Sequence, residues 1–106
     1  AKCQLPAGIA CTDFKIDGVA NTLTVVLRNG QGFDTDTVGI YAPGCTANTG
    51  NTLNNGQQNQ FILACSAAPD TLVSGQKYSG ELNVTFRNVD TNLNHKVQGA
   101  ITGRSE

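Results

Sequence analysis

The chain has 106 residues and a mass of 11.1 kDa, enough for one domain with a modest core. Its seven basic and eight acidic residues give a net charge of -1 with no block of either sign, so it lacks the basic stripe of a stand-alone nucleic-acid binder. No run reaches the roughly 18 apolar residues that a membrane helix needs. With 12 Gly, 12 Thr and 11 Asn, every candidate stretch for a long helix is interrupted.

In chain order, residues 1–11 read as an irregular arm broken by Pro6 and Gly8. Residues 12–17 alternate, with Phe14 and Ile16 on one side and Lys15 on the other, as in a half-buried strand. Asp17-Gly18 is a turn signal, although the two residues after it delay the next strand. Thr22–Asn29 is the clearest strand: Leu23, Val25 and Leu27 share one face, and Gly30-Gln31-Gly32 ends it. A further strand spans 37–42, with Val38 and Ile40 inward and Tyr41 on the opposite face, and Pro43-Gly44 closes it. Residues 45–60 are nearly all Thr, Asn, Gln and Gly, which predicts an excursion with at most a short strand near Leu53. Residues 61–65 are apolar on both faces, the pattern of a central strand. The crossover over 67–76 carries Pro69 as a breaker and a Ser74-Gly75-Gln76 turn. Residues 77–89 alternate: Tyr78, Leu82, Val84 and Phe86 face in, and Glu81, Asn83, Thr85 and Arg87 face out. Gly80 marks a bulge or a close crossing in that strand. After a turn over 90–94, residues 95–104 return as the second half of a hairpin, with Val97, Gly99 and Ile101 inward.

The expected fold is all-β, an immunoglobulin-like β-sandwich of six or seven mostly antiparallel strands in a single domain, 1–106, with almost no helix. A weak echo pairs TLTVVLRNG (22–30) with ELNVTFRNV (81–89), and convergence on an alternating strand with an Asn-containing turn accounts for it.

Cys3, Cys11, Cys45 and Cys65 are even in number in a short chain, which points to two disulfides and an oxidising, extracellular compartment. Three pairings exist on paper, and the sequence-local one is expected. Cys3–Cys11 would clip the arm beside the first strand, and Cys45–Cys65 would fasten the long polar loop to the strand that follows. A four-thiolate zinc site prefers close cysteine pairs, whereas seven, thirty-three and nineteen residues intervene here.

The candidate chemical sites are few. Asp34 and Asp36, and Asp90, Asn92 and Asn94, superficially resemble calcium loops. The first set has Val38 and Cys45 where an EF-hand needs oxygen ligands, and the second has His95 and Ile101 where it needs Gly and Glu. Turn formation is the ordinary reading of both sets, and a surface calcium site of another kind is the alternative. His95 is the sole histidine and has no evident nucleophile to activate through Asp90 or Asp70. Glu81 is the only glutamate before Glu106, so the paired carboxylates of a glycosidase are missing. Gly30, Gly32 and Gly39 precede no βα unit of the kind that cradles phosphate. The chain therefore reads as a non-enzyme with no metal and no cofactor. Asn83-Val84-Thr85 is the one N-glycosylation sequon, on the solvent side of its strand. Tyr41 with Asn48, Asn51, Asn54, Asn55 and Gln57 is the candidate binding surface, since carboxamides suit carbohydrate hydroxyls and protein backbones alike.

The order of features carries a resemblance. C-x-x-PAGI-x-C and D-F-K-I lead into TLTVVLRNG, and a polar loop follows between Cys45 and Cys65. Then come S-G-Q-K-Y-S-G-E-L (74–82) and H-K-V-Q-G-A-I-T-G (95–103). Over essentially its whole length the chain resembles the C-terminal head domain of archaeal type IV pilins, relatives of the archaeal flagellins. The resemblance implies a leader removed by a prepilin peptidase, a long hydrophobic helix that packs in the filament core, and an outward β-sandwich head. This sequence departs from that pattern at its start, where the helix is missing. The expectation is thus a head domain of an extracellular pilus-like filament serving adhesion to surface glycans or host-cell proteins. Alone it would be a monomer without membrane contact, and it would polymerise only with its N-terminal helix. A secreted carbohydrate- or protein-binding module is the alternative.

Overall fold

A computed structural model describes residues 2–6, 8–65 and 75–105. Eight strands run in chain order: β1 (Lys2–Gln4), β2 (Ile9–Asp17), β3 (Thr22–Asn29), β4 (Thr35–Tyr41), β5 (Asn48–Leu53), β6 (Gln58–Ala64), β7 (Lys77–Asn88) and β8 (Asn94–Arg104). There is no helix among the described residues. The strands form a five-stranded sheet, β1-β8-β7-β4-β5, and a three-stranded sheet, β2-β3-β6, with every pairing antiparallel. Counted from β2, the first, second and fifth strands lie in one sheet, and the third, sixth and seventh are neighbours in the other. The immunoglobulin sandwich separates A, B and E from C, F and G in the same way.

The inward positions follow from period-two alternation. Leu23, Val25 and Leu27 of β3, with Ile16, Phe61 and Leu63 on its flanks, face Val38, Ile40, Leu53, Leu82, Val84, Phe86 and Ile101 of the other sheet. Burying each of these large apolar side chains contributes about 1.5–3 kcal/mol. The echoing segments are the middle strands of the two sheets, β3 and β7. Each ends in the same Asx turn: Gln31 N donates to Asn29 Oδ1 at 3.0 Å, and Asp90 N to Asn88 Oδ1 at 2.9 Å. Equal positions in the fold thus demand equal sequence patterns.

Three expectations need correction. The arm is not irregular: Lys2–Gln4 pairs with Ala100–Thr102 of β8, and β2 begins at Ile9, so there are eight strands rather than six or seven. The short strand expected near Leu53 is β5, held on β4 by ladder hydrogen bonds and one buried anchor, but the polar stretch 45–60 also holds the first three residues of β6. Residues 61–65 are not central. β6 is an edge strand, with Phe61 and Leu63 inward while Ile62, opposite Thr24 on the outer face, stays 52% exposed. The turn expected at Ser74 and the breaker Pro69 lie outside the described residues.

Cys3–Cys11 and Cys45–Cys65 are both formed, and no described cysteine is free. Each bridges the two sheets along one side of the sandwich, the first joining edge strands β1 and β2. The second ties Cys45, in the connection from β4 to β5, to the residue after β6. Two disulfides are consistent with an extracellular or secreted protein. Two inward glycines permit close crossings. A Cβ on Gly80 would lie 2.7 Å from Pro43 Cγ, and one on Gly99 would lie 1.9 Å from the Gln4 carbonyl oxygen where the arm passes over β8. The close crossing expected at Gly80 is therefore present, and β7 runs past it in unbroken register with β8.

Candidate functional site

The registers divide the molecule, 42 Å in its longest dimension, into two ends. Lys2 opposite Thr102, Lys77 opposite Arg104 and Asp17 opposite Thr22 define a base, where the chain enters its first strand. Arg28 opposite Gln58, Thr35 opposite Asn88 and Leu53, and Arg87 opposite Asn94 place the β3–β4, β5–β6 and β7–β8 loops together at the other end. Loops at one end of an immunoglobulin-like sandwich form a natural recognition surface on a rigid frame.

Asn29, with no solvent exposure, organises this tip. Its Nδ2 donates to Phe33 O at 2.8 Å and to Leu53 O at 2.9 Å, so both amide protons are used. Its backbone N donates to Gln57 O, and its carbonyl accepts from Gly56 N at 2.7 Å. Buried Thr35 adds its hydroxyl to Leu53 O at 2.7 Å. Asp34 joins all three loops: Oδ1 accepts from Asn55 N at 2.9 Å, and its carbonyl accepts from Val89 N. Gly30 N reaches Gly8 O at 2.7 Å, drawing the arm into the same network. Around this knit, Leu93 is 59% and Val89 42% exposed.

The carboxamides expected to form one binding surface are distributed over two regions, and Asn48, opposite Ile40, is the one nearest Tyr41 in register. Asn54, Asn55 and Gln57 belong to the tip, where Gln57 Oε1 accepts from Asn54 N and Asn55 Oδ1 accepts from Gly32 N. Asn48 and Asn51 lie on the β5 side. Asn48 Nδ2 donates across to Ile62 O of the other sheet at 3.1 Å, and Asn51 Nδ2 donates to Val38 O at 3.0 Å. These amides serve the fold first, satisfying backbone groups that lack a ladder partner.

Tyr41 sits apart on the outer face of the five-stranded sheet, 40% exposed and directly opposite Asn83 of β7. The space a Cβ on Gly39 would occupy is within 3.1 Å of the Tyr41 hydroxyl and 3.0 Å of Thr85 Oγ1, so Tyr41 lies along the strand towards Thr85. A shallow cleft of about 250 Å³ is lined by Tyr41, Ala42, Pro43, Glu81 and Asn83. Its wall is fixed from below, because the Tyr78 hydroxyl donates to Pro43 O at 2.8 Å. Burial raises the Tyr78 pKa above its ordinary value. On the cleft floor, Asn83 Nδ2 donates to a Glu81 oxygen at 3.0 Å. That bond and one from Gln98 hold the Glu81 carboxyl below its ordinary range. The sequon nitrogen, which a glycan would occupy, is thus already engaged.

Of the carboxylates that superficially resemble calcium loops, Asp34 and Asp36 have other partners. Asp36 accepts a bidentate pair from Arg87, Nε to Oδ1 at 2.7 Å and Nη2 to Oδ2, which pulls its pKa down. Arg87 also reaches Asn92 Oδ1 at 3.3 Å. Among the described residues no group of three or more His, Cys, Asp and Glu is gathered as a metal site would need. His95 is exposed at the start of β8 and stacks on Phe86, ring centroids 5.5 Å apart. Asp70 and Glu106 lie outside the described residues.

The organising role of Asn29 is what the sequence reading missed. The available signal was its place in Arg-Asn-Gly at the end of the most apolar strand, echoed at Asn88. No protein-family model and no curated protein matches the chain.

Proposed function

We propose that this domain is the outward head of a subunit of an extracellular type IV pilus-like filament, with a structural and adhesive rather than catalytic role. The observation that supports this best is the opposition of the two ends. The chain enters through β1 at the base, and three cross-bonded loops stand at the far end. A helix joined to β1 would leave those loops pointing away from a filament core. The two disulfides fit the same reading, since they clasp both sides of the sandwich in a way that suits an exposed, oxidising surface.

The test is to shear surface filaments from the source cells and identify their subunits by intact mass and peptide mapping. The reading requires this chain to be a major component, preceded by an apolar segment of about 20 residues or more. Recovery of the chain only as a soluble monomer from the medium, without such a segment, would overturn it and leave the secreted binding module in its place.

A further inference from the structure

The cleft beside Tyr41 is not needed for a filament role, yet it has the parts of a small polar binding site. Its aromatic wall is exposed on a sheet whose outer face is otherwise polar, with Ser79, Glu81, Asn83, Thr85 and Gln98 as neighbours in register. Its polar groups are oriented in advance. Glu81 can only accept at neutral pH, so Asn83 must turn Nδ2 towards it, and the Asn83 amide orientation is thereby set. Asn83 Oδ1 itself is buried beneath the cleft surface, so what the residue contributes is its hold on the Glu81 carboxylate. The opposite wall cannot drift, because Pro43 is held by the Tyr78 hydroxyl and packs against Gly80, where any side chain would displace it.

We infer that Tyr41, Glu81 and Asn83 form a subsite for one residue of a neutral saccharide. The chemistry selects this class. A tyrosine ring offers an apolar surface to the C–H face of a pyranose. The Glu81 carboxylate takes hydroxyl donors and repels anionic ligands such as sulfated or sialylated sugars. At about 250 Å³ the cleft lies below the roughly 300–1,000 Å³ of drug-sized pockets, so it admits one ring while the rest of a chain stays outside. The subsite does not depend on the filament reading, because a soluble module could carry it equally well.

The test is a titration of ¹⁵N-labelled, oxidised protein with methyl glycosides of glucose, galactose, mannose and N-acetylglucosamine, and with their short oligosaccharides. Backbone shifts should be confined to the neighbourhood of Tyr41, Ala42, Glu81 and Asn83. The dissociation constant for at least one neutral sugar should be on the order of 1 mM, as suits so few contacts. Tyr41→Ala and Glu81→Ala should each weaken binding at least about tenfold, and Tyr41→Phe should retain it, with the spectra of all three otherwise native. The inference fails if none of these sugars shifts the cleft, or if binding persists unchanged in Tyr41→Ala. It fails equally if intact mass of the native protein shows a glycan on Asn83, since the protein's own sugar would then cover the floor. None of these failures bears on whether filaments contain the chain.

Discussion

Along its two sides the sandwich is fastened by Cys3–Cys11 and Cys45–Cys65, whereas at its tip three loops are fastened by carboxamides and carboxylates centred on Asn29 and Asp34. The two regions face different problems. On the sides, the partners are edges of different sheets with little apolar surface to share: β1 has three residues, and β5 has one buried anchor. A covalent clasp restricts the unfolded chain and needs no such surface. At the tip the problem is orphaned backbone groups in loops, and a side-chain amide, with two donors and an acceptor, answers it directly. The sides therefore depend on redox state, and the tip depends on hydrogen-bond geometry.

The largest expected effect comes from opening the sides. The Cys45–Cys65 bridge spans 20 residues and Cys3–Cys11 spans 8. Chain entropy then gives about 3.3 and about 2.5 kcal/mol respectively. Paired Cys→Ser variants measured by denaturant unfolding should rank in that order, with the Cys45/Cys65 pair the weaker protein. The reverse ranking would mean that the crossing of the arm over Gly99 and β8 matters more than loop length. Next is the tip. Asn29→Ala strands the Phe33 carbonyl and weakens the hold on Leu53 O, which should cost about 2–3 kcal/mol. Asn55→Ala, at an exposed position, should cost under about 0.5 kcal/mol.

The smallest effect is electrostatic. The Arg87 guanidinium lowers the Asp36 pKa, and the Ala20 and Val19 amides lower that of Asp17. A carboxyl with a lowered folded pKa contributes stability above its unfolded pKa near 4 and loses it as pH falls through the folded value. Tyr78, raised by burial, contributes below about pH 10 and loses its contribution as pH rises past that point. Thermal melts should thus be flat across neutral pH and fall at both extremes. Asp36→Asn should flatten the acid limb only.

Much of the frame was legible in the sequence. The inward triplet Leu23, Val25 and Leu27, the alternation of β7 and the hairpin to β8 follow from period two, and the cysteines pair in the local one of the three possible ways. β1 did not show, and β5 showed only through Leu53, because neither carries an alternating apolar pattern, and such strands are selected by the edges that receive them. The edge position of β6 was hidden for the opposite reason: Ile62 gives its outer face an apolar residue that stays exposed. At the candidate sites, the outward-facing aromatic Tyr41 stood out, but its cross-strand partner Asn83 became visible only with register. Counting amides identified a polar surface without revealing that most of them bond to their own backbone.

The account rests on tip and frame being held separately, and hydrogen exchange of oxidised Asn29→Ala measures that most directly. With opening at the tip alone, amides in residues 30–34 and 54–57 should exchange much faster than in the parent protein, while those of β7 and β8 keep their protection. A uniform loss of protection through both sheets would contradict the account, because Asn29 would then be a pillar of the whole sandwich and not of its tip.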